Sequence, residues 1–186
     1  MSAASLIKYC YLAYLSRPAE DRELYRAVRR IRPKSVVELG VGLGQRAVRL
    51  IEVACRYQPL SSVRYTGLDP FEGRPDSQAR LTLKSAHKLL KPLGVQVQLV
   101  PGDPASALAR HANALRNTDL LVIAADEYAS MDEGAWFYVP RMLHAKSQVL
   151  AAHRDAKTGM LQYRRIEQSA IIELARAGTR RTRRAA

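Results

Sequence analysis

The stretch of the chain best suited to ligand chemistry is a run of alternating glycines behind an acidic residue. Glu38 is followed by Gly40, Gly42 and Gly44, between a short apolar segment and an amphipathic one. Glycines permit a tight turn with positive φ and let a ligand approach the backbone closely. The start of a following helix adds free N–H groups with partial positive charge. The spacing therefore predicts a ligand cradle between a strand and a helix.

The spacing also separates the ligand classes that use such loops. A phosphate-binding P-loop ends in Gly-Lys-Ser/Thr, and the sequence contains no such triplet. The dinucleotide fingerprint G-x-G-x-x-G requires a glycine at position 45, which is Gln45. The remaining pattern, acid-x-G-x-G-x-G, resembles the first motif of the Rossmann-like (class I) S-adenosylmethionine-dependent methyltransferases.

Two further segments carry the same resemblance. The second predicted strand ends at Asp69, and in that family an acidic residue here accepts hydrogen bonds from both ribose hydroxyls. Pro70 and Phe71 follow and are placed to pack on the adenine. Gly102 and Asp103 end the third strand, where the family places a carboxylate or amide near the adenine amino group. The resemblance covers roughly residues 34–154. It implies S-adenosylmethionine as cofactor, bound by Glu38, Gly40, Gly42, Gly44, Asp69, Pro70, Phe71, Gly102 and Asp103.

The charges suit that cofactor, which carries a sulfonium cation and an ammonium but no phosphate. Carboxylates at the strand ends favour such a ligand and disfavour a pyrophosphate. Each residue also has a purely structural interpretation. Glu38 could pair with a neighbouring arginine, and Asp69 could form a turn before proline. Asp103 is a strong N-cap, and the glycines could serve only a tight turn.

The substrate side is predicted after the fourth strand. The family often puts catalytic or substrate residues there, so Asp126 is the candidate base and Tyr128 a substrate-side residue, with a solvated loop carboxylate as the alternative for Asp126. Residues 124–128 are similar to metal-dependent catechol-type O-methyltransferases. Arg154 stands where their second acidic pair lies, and the four histidines are scattered, so no metal is expected.

These features lead to two functional hypotheses on the same fold. The first is a methyltransferase of unspecified acceptor that O-methylates a small molecule, since residues 125–128 lack the Asn/Asp-Pro-Pro-aromatic motif of amide and base methylation. The alternative is a catalytically degenerate relative that binds cofactor, nucleic acid or both. Only about thirty residues follow the fifth strand. This shortened edge leaves the substrate side open or built by a partner subunit, as in a homodimer.

Strand and helix patterns alternate along the chain, which indicates an α/β fold with a mostly parallel sheet. We predict a three-layer Rossmann-like sandwich with an antiparallel C-terminal edge strand. The division is an N-terminal helical extension (1–33), a Rossmann-like methyltransferase domain (34–178) and a basic disordered tail (179–186). The predicted strands are 35–39, 63–68, 95–100, 119–125, 148–152 and 160–166.

Capping patterns predict the helix boundaries. Ser16 would cap a second helix that ends at Pro33, and a later helix would run from about Asp76 to Leu90. Ser130 and Glu133 would form a capping box for a helix that Pro140 should kink or end near Tyr138. The remaining predicted helices are 4–15, 45–57, 104–115 and 168–177.

Composition suggests a basic protein of a reducing compartment. The net charge is +13, and Arg180, Arg181, Arg183 and Arg184 supply four of these charges. Such a tail favours weak contact with nucleic acid or another polyanion, although a merely solvated surface is the alternative. Cys10 and Cys55 have no metal-type spacing and are expected to be reduced, which indicates the cytoplasm. No apolar run is long enough for a membrane span.

Overall fold

The structure is a computed structural model that describes residues 3–75, 80–155 and 158–182, with the side chains of 3–5 and 178–182 left aside. Its centre is one six-stranded sheet in the order β3-β2-β1-β4-β5-β6. All neighbours pair in parallel except β5 and β6, which are antiparallel. The strands are β1 (Ser35–Leu39), β2 (Arg64–Asp69), β3 (Gln96–Pro101), β4 (Thr118–Ile123), β5 (Leu143–Arg154) and β6 (Leu161–Ile166).

Helices cover both faces of this sheet. The helices are α1 (Ala3–Cys10), α2 (Asp21–Ile31), α3 (Gln45–Cys55), α4 (Leu83–Leu90), α5 (Pro104–His111), α6 (Ala125–Ser130), α7 (Glu133–Met142) and α8 (Gln168–Thr182). One π-helix, Tyr11–Leu15, follows α1, and short 3₁₀ turns occupy Leu60–Ser62, Phe71–Gly73 and Lys91–Leu93. This arrangement confirms the predicted three-layer sandwich and its antiparallel edge strand.

The alternation of side chains along each strand produces two apolar cores. Val36, Leu120 and Leu150 point to the face covered by α2, α3 and α4. Val37 and Leu121 point to the opposite face, which α5, α7 and α8 cover. Because β4 is buried on both faces, its sequence is apolar without interruption, as expected for a central strand.

Three predicted helix starts are wrong, and each has a local cause. The Ser16 hydroxyl donates to the Leu12 carbonyl within the π-helix, so it does not cap α2, which begins at Asp21. Helix α4 begins at Leu83 rather than near Asp76, because Thr82 accepts the Ser85 N–H; residues 76–79 lie outside the described parts.

The third error concerns the helix after β4. Ser130 belongs to the extra helix α6, where its hydroxyl donates to the Glu127 carbonyl. Asp132 takes the capping role instead and accepts the Ala135 N–H at 2.8 Å. Pro140 does not end α7, since the Leu143 N–H donates to the Pro140 carbonyl and closes a last turn.

One strand and one helix also extend further than the sequence pattern predicts. Strand β5 begins at Leu143 rather than at 148, and α8 continues to Thr182 rather than ending at 177. Residues 179–182 are therefore helical in their backbone, and the last four residues lie outside the described parts. Asp103 caps α5 with Pro104 as its first residue, as predicted.

Candidate cofactor site

The strand order reverses between β1 and β4, and a cavity opens at that point. After β1 the chain moves through β2 and β3 on one side, and β4, β5 and β6 lie on the other. Open α/β sheets bind ligands beyond the carboxyl ends of the strands at such a reversal. The cavity has a volume of about 450 Å³. It is lined by Pro18, Asp21, Gly40, Val41, Gly42, Leu43, Gly44, Gln45, Arg46, Arg74, Ala124 and Asp126.

Gly40 and Gly42 give the loop two different properties. A Cβ at Gly40 would lie 2.7 Å from both the Ala124 Cβ and the Glu127 Cγ, so the loop packs tightly on the chain after β4. Gly42 has φ +58°, and a Cβ there would meet no protein atom within 4 Å. The backbone at Gly42 therefore faces open space that a ligand could fill.

Asp69 lies at the end of β2 and is held directly against this loop. Its Oδ2 accepts the Gly42 N–H at 3.0 Å, and its Oδ1 accepts the Phe71 N–H at 2.6 Å. Arg74 donates to both carboxylate oxygens, at 2.9 and 2.8 Å. Burial alone would raise the pKa of Asp69, but the hydrogen bonds from Arg74, Gly42 and Phe71 outweigh it and lower the pKa.

Arg74 joins Asp69 to a second buried carboxylate, Glu127 on α6. Its Nη2 donates to Glu127 Oε1 at 2.6 Å, and both side chains are buried. Burial raises the pKa of Glu127, with the nearby Arg74 acting in the opposite direction. One guanidinium thus forms ion pairs with two carboxylates, one at the end of β2 and one just after β4, and it also lines the cavity.

Glu38 lies beneath the loop and is completely buried. Its Oε1 accepts the Arg46 Nε–H at 2.6 Å, and its Oε2 accepts the Tyr65 hydroxyl at 2.5 Å. Arg46 also donates to the Gly40 carbonyl, so it ties the first turn of α3 to the start of the loop. Burial lowers the pKa of Arg46, but the adjacent Glu38 carboxylate more than compensates and raises it. Glu38 therefore pairs with a neighbouring arginine, the structural role weighed for it from sequence.

Asp21, the first residue of α2, brings the helical extension to the cavity. Its side chain is 4% exposed. Burial, opposed by Arg46 and reinforced by Glu38, raises the pKa of Asp21 to about 6.

The residues predicted for the substrate side separate into two environments. Asp126 is exposed and lines the cavity, whereas its neighbour Glu127 points inward. Tyr128 packs edge-on against Trp136 and His153, with ring centroids 6.0 and 4.4 Å apart. Partial burial and the nearby Arg164 lower the pKa of His153. Tyr128 therefore places an aromatic ring close to the acidic residues that follow β4.

The residues assigned to adenine lie beside Asp69 rather than in the cavity wall. The Gly102 N–H donates to the Asp69 backbone carbonyl at 3.1 Å, which brings the end of β3 next to that of β2. Phe71 is buried in the core, and Pro70 is half-buried. Asp103 is exposed and accepts the Ser106 N–H as the α5 cap.

The residues fit S-adenosylmethionine in their chemistry. The open space above Gly42 accommodates a ligand against the backbone, and Asp69 lies at hydrogen-bond distance from that same loop. The charged side chains around the cavity are two carboxylates, Asp21 and Asp126, and two guanidiniums, Arg46 and Arg74. A cationic ligand would be attracted by the carboxylates. Within the described ranges, no cluster of three or more His, Cys, Asp or Glu residues could hold a metal ion. A membrane-spanning helix is likewise not found among the residues described.

Sequence reasoning did not find four residues of this site: Asp21, Arg46, Arg74 and Glu127. Arg46 follows the third glycine by two positions, so its spacing was a usable signal. Glu127 is one position from Asp126, and the helical period of α6 turns it inward. Asp21 and Arg74 reach the site only through the tertiary fold, and no local pattern marks them.

No protein-family model and no curated protein matches the sequence. Several solved structures are similar. The cofactor-bound protein Rv0187 from MTB is 18% identical, with a TM-score of 0.53 over 96% of this chain and 77% of that one. A candidate caffeoyl-CoA O-methyltransferase from Staphylococcus aureus is 12% identical, with a TM-score of 0.52 over 81% of this chain and 66% of that one.

A candidate O-methyltransferase from Klebsiella pneumoniae is 15% identical, with a TM-score of 0.51 over 97% of this chain and 78% of that one. The chain spans only 64 to 66% of the length of three of the structures that it matches. Such likeness concerns the path of the backbone. Together with the strand order and the glycine loop at its reversal, it shows that this chain has the Rossmann-like fold of the class I methyltransferases.

Proposed function

We propose that the chain is an S-adenosylmethionine-dependent methyltransferase that O-methylates a small molecule. The observation that carries this proposal is the pairing of Gly42 with Asp69. A glycine with open space above it and a carboxylate at the next strand end form one continuous binding edge. The similarity to two candidate O-methyltransferases supports oxygen as the methylated atom.

In this proposal Asp69 binds the ribose hydroxyls, and Gly40, Gly42 and Gly44 shape the backbone beneath the cofactor. Arg74 already donates to both oxygens of Asp69, so ribose hydroxyls compete with its guanidinium. Glu127 accepts a hydrogen bond from Arg74 as well, so the guanidinium keeps an anionic partner when the ribose displaces it from Asp69. Gly102 and Asp103 provide the edge for adenine beside the end of β3, with the half-buried Pro70 next to them.

Bound S-adenosylmethionine would supply an electrophilic methyl group, and its transfer forms a C–O bond on the acceptor while the S–C bond breaks. Such a displacement depends chiefly on alignment of the two reactants. Asp126 lines the cavity on the side of β4 and is exposed, so it can accept the proton of the acceptor hydroxyl. Tyr128 stands beside it as a wall for the acceptor.

We further propose a cytoplasmic location. Cys10 and Cys55 are both free thiols, which supports a cytoplasmic protein. We also propose that the chain forms a homodimer in which the partner subunit completes the substrate side. The C-terminal arginines would provide any contact with polyanions.

Calorimetry with the full chain tests the proposal. S-adenosylmethionine and S-adenosylhomocysteine should bind at one site per chain, and NADH should not bind. Transfer of a radiolabelled methyl group to a set of small phenols and catechols, without added metal, then tests the reaction. Binding of NADH with no affinity for either sulfur compound would overturn the assignment.

A further inference from the structure

The geometry points to Asp21 as the binding group for the α-ammonium of the cofactor's amino-acid portion. This assignment rests on the proposed function, and it gives the helical extension a part in ligand binding. Neither the glycine motif nor the strand ends include Asp21, which lies seventeen positions before Glu38.

The first observation is the position of Asp21. It is the first residue of α2 and lines the cavity together with Pro18 and the glycine loop. It is 4% exposed, so its carboxylate is largely withdrawn from water while it borders ligand space. A carboxylate in such a place gains more from a cationic ligand than a hydrated one does, because the local dielectric constant is low.

The second observation is that Asp21 has weak compensation from the protein. In the described parts of the chain its one side-chain hydrogen bond comes from the Tyr25 hydroxyl, at a long 3.4 Å. No Lys, Arg or His of those parts lies within ion-pair distance of it. Buried carboxylates are normally paired or well hydrogen-bonded, so this one is prepared for a partner that is not part of the described chain.

The third observation is that the acceptors at the start of the loop already have a cationic partner in the protein. Both oxygens of Glu38 are engaged, one by Arg46 and one by Tyr65. The Gly40 carbonyl accepts from Arg46 as well. Arg46 thus occupies the two groups at the start of the loop that could bind a cation.

The shape of the ligand agrees with this division of roles. Asp69 ends β2 on one side of the loop, and Asp21 lies in the cavity wall with Ala124 from the end of β4. A ligand with its ribose at Asp69 would extend across Gly42 into this cavity. Its amino-acid end would then come near Asp21.

A comparison of two ligands isolates the contribution of the amino-acid portion, which carries the ammonium, from that of the adenosine. S-adenosylhomocysteine has the ammonium and no sulfonium, and 5′-methylthioadenosine has neither an amino acid nor a sulfonium. Asp21→Asn should weaken S-adenosylhomocysteine binding by about tenfold or more, as expected for loss of a charged hydrogen-bond partner. It should leave methylthioadenosine affinity within about twofold of wild type, because adenosine contacts are retained.

Glu20→Gln is the matched control, since it removes the same charge one position earlier and outside the cavity lining. It should leave both affinities unchanged. Equal affinity of wild type and Asp21→Asn for S-adenosylhomocysteine overturns the inference, and so does an equal loss for both ligands. If wild type binds neither ligand, the proposed function itself is wrong.

The number of protons released on ligand binding is a second measurement. It would not depend on Asp21 if that residue had only a structural role. The charged and titratable groups facing Asp21 are Glu20, Tyr25, Glu38, Arg46, Arg49 and Tyr163. Burial among them raises the pKa of Asp21 to about 6, so an arriving ammonium should expel its proton near that pH. Calorimetry in buffers of different ionisation enthalpy should detect more proton release at pH 6 than at pH 8. Asp21→Asn should abolish this difference, and a difference that persists in the variant contradicts the inference.

Discussion

A carboxylate kept in the cavity wall for a ligand should cost the free protein stability, and Asp21→Asn measures that cost. The pKa of Asp21 is raised from 3.8 to about 6 by burial. A raised pKa means that the folded state holds a proton more tightly than the unfolded state does. The contribution of Asp21 to stability is therefore fully present below about pH 4 and is lost as the pH rises to 6.

The magnitude follows from the size of the pKa shift. About two pKa units correspond to roughly 3 kcal/mol at neutral pH. The N-terminus of α2 favours a negative charge by about 0.3–1 kcal/mol, which Asn forfeits. Asp21→Asn should therefore raise the free energy of unfolding by about 2 kcal/mol at pH 7.5, or the Tm by roughly 4–8 °C.

Urea denaturation at several pH values checks this expectation. The gain should shrink to less than about 1 kcal/mol at pH 4, where Asp21 is protonated in the folded state. Glu20→Gln should show no comparable gain at either pH. A variant that is less stable than wild type at pH 7.5, or a gain that does not change with pH, would refute the electrostatic reasoning for this site.

Three other perturbations test separate parts of the structure. Gly42→Val should abolish binding of S-adenosylhomocysteine in a folded protein. Gly159→Val, at a glycine with a similarly positive φ and equally open surroundings, should bind normally in calorimetry. Arg74→Met should lower the free energy of unfolding by about 3–5 kcal/mol in urea, because it leaves two buried carboxylates unpaired. The exposed ion pair of Arg26 provides the comparison, and Arg26→Met should cost less than about 1 kcal/mol. Deletion of residues 183–186 removes two arginines. It should lower the slope of log RNA affinity against log salt by up to about 1.8, roughly 0.9 for each arginine. An unchanged slope would show that these residues do not contact the polyanion.

The sequence predicted the sheet well because its strands carry strong local signals. The uninterrupted apolar run of β4 and the alternating pattern of β3 reflect their central and edge positions. Asp103 with Pro104 also carries its own capping chemistry, and the structure shows that cap. Such features depend on a few neighbouring residues and little else.

The errors lie where several local solutions compete. Ser16 and Ser130 are both good capping residues, yet the Ser16 hydroxyl donates to a carbonyl of the preceding π-helix and the Ser130 hydroxyl to a carbonyl of its own helix, α6. Pro140 would end an isolated helix, but the last turn of α7 closes without the missing N–H. Tertiary packing decides such cases, so sequence pattern alone does not.

The candidate site likewise combines features that the sequence predicts with features that only the tertiary fold determines. Its glycine loop and Asp69 follow motif spacing, and the structure brings them into contact. The cations that hold the carboxylates, Arg46 and Arg74, depend on which side chains the fold turns inward. Gly67 on β2 is another residue whose role depends on the tertiary fold. A Cβ there would lie 2.6 Å from the Val41 side chain and would prevent the glycine loop from packing on β2. The sequence shows the glycine but not the contact that requires it.

Calorimetric titration of the wild-type chain with S-adenosylhomocysteine, alongside Gly42→Val and Gly159→Val, tests the central claim most directly. The account predicts saturable binding at one site in wild type and Gly159→Val, with none in a folded Gly42→Val protein. Binding to all three proteins would show that the loop is only a turn. No binding to wild type would show that this fold serves another ligand here.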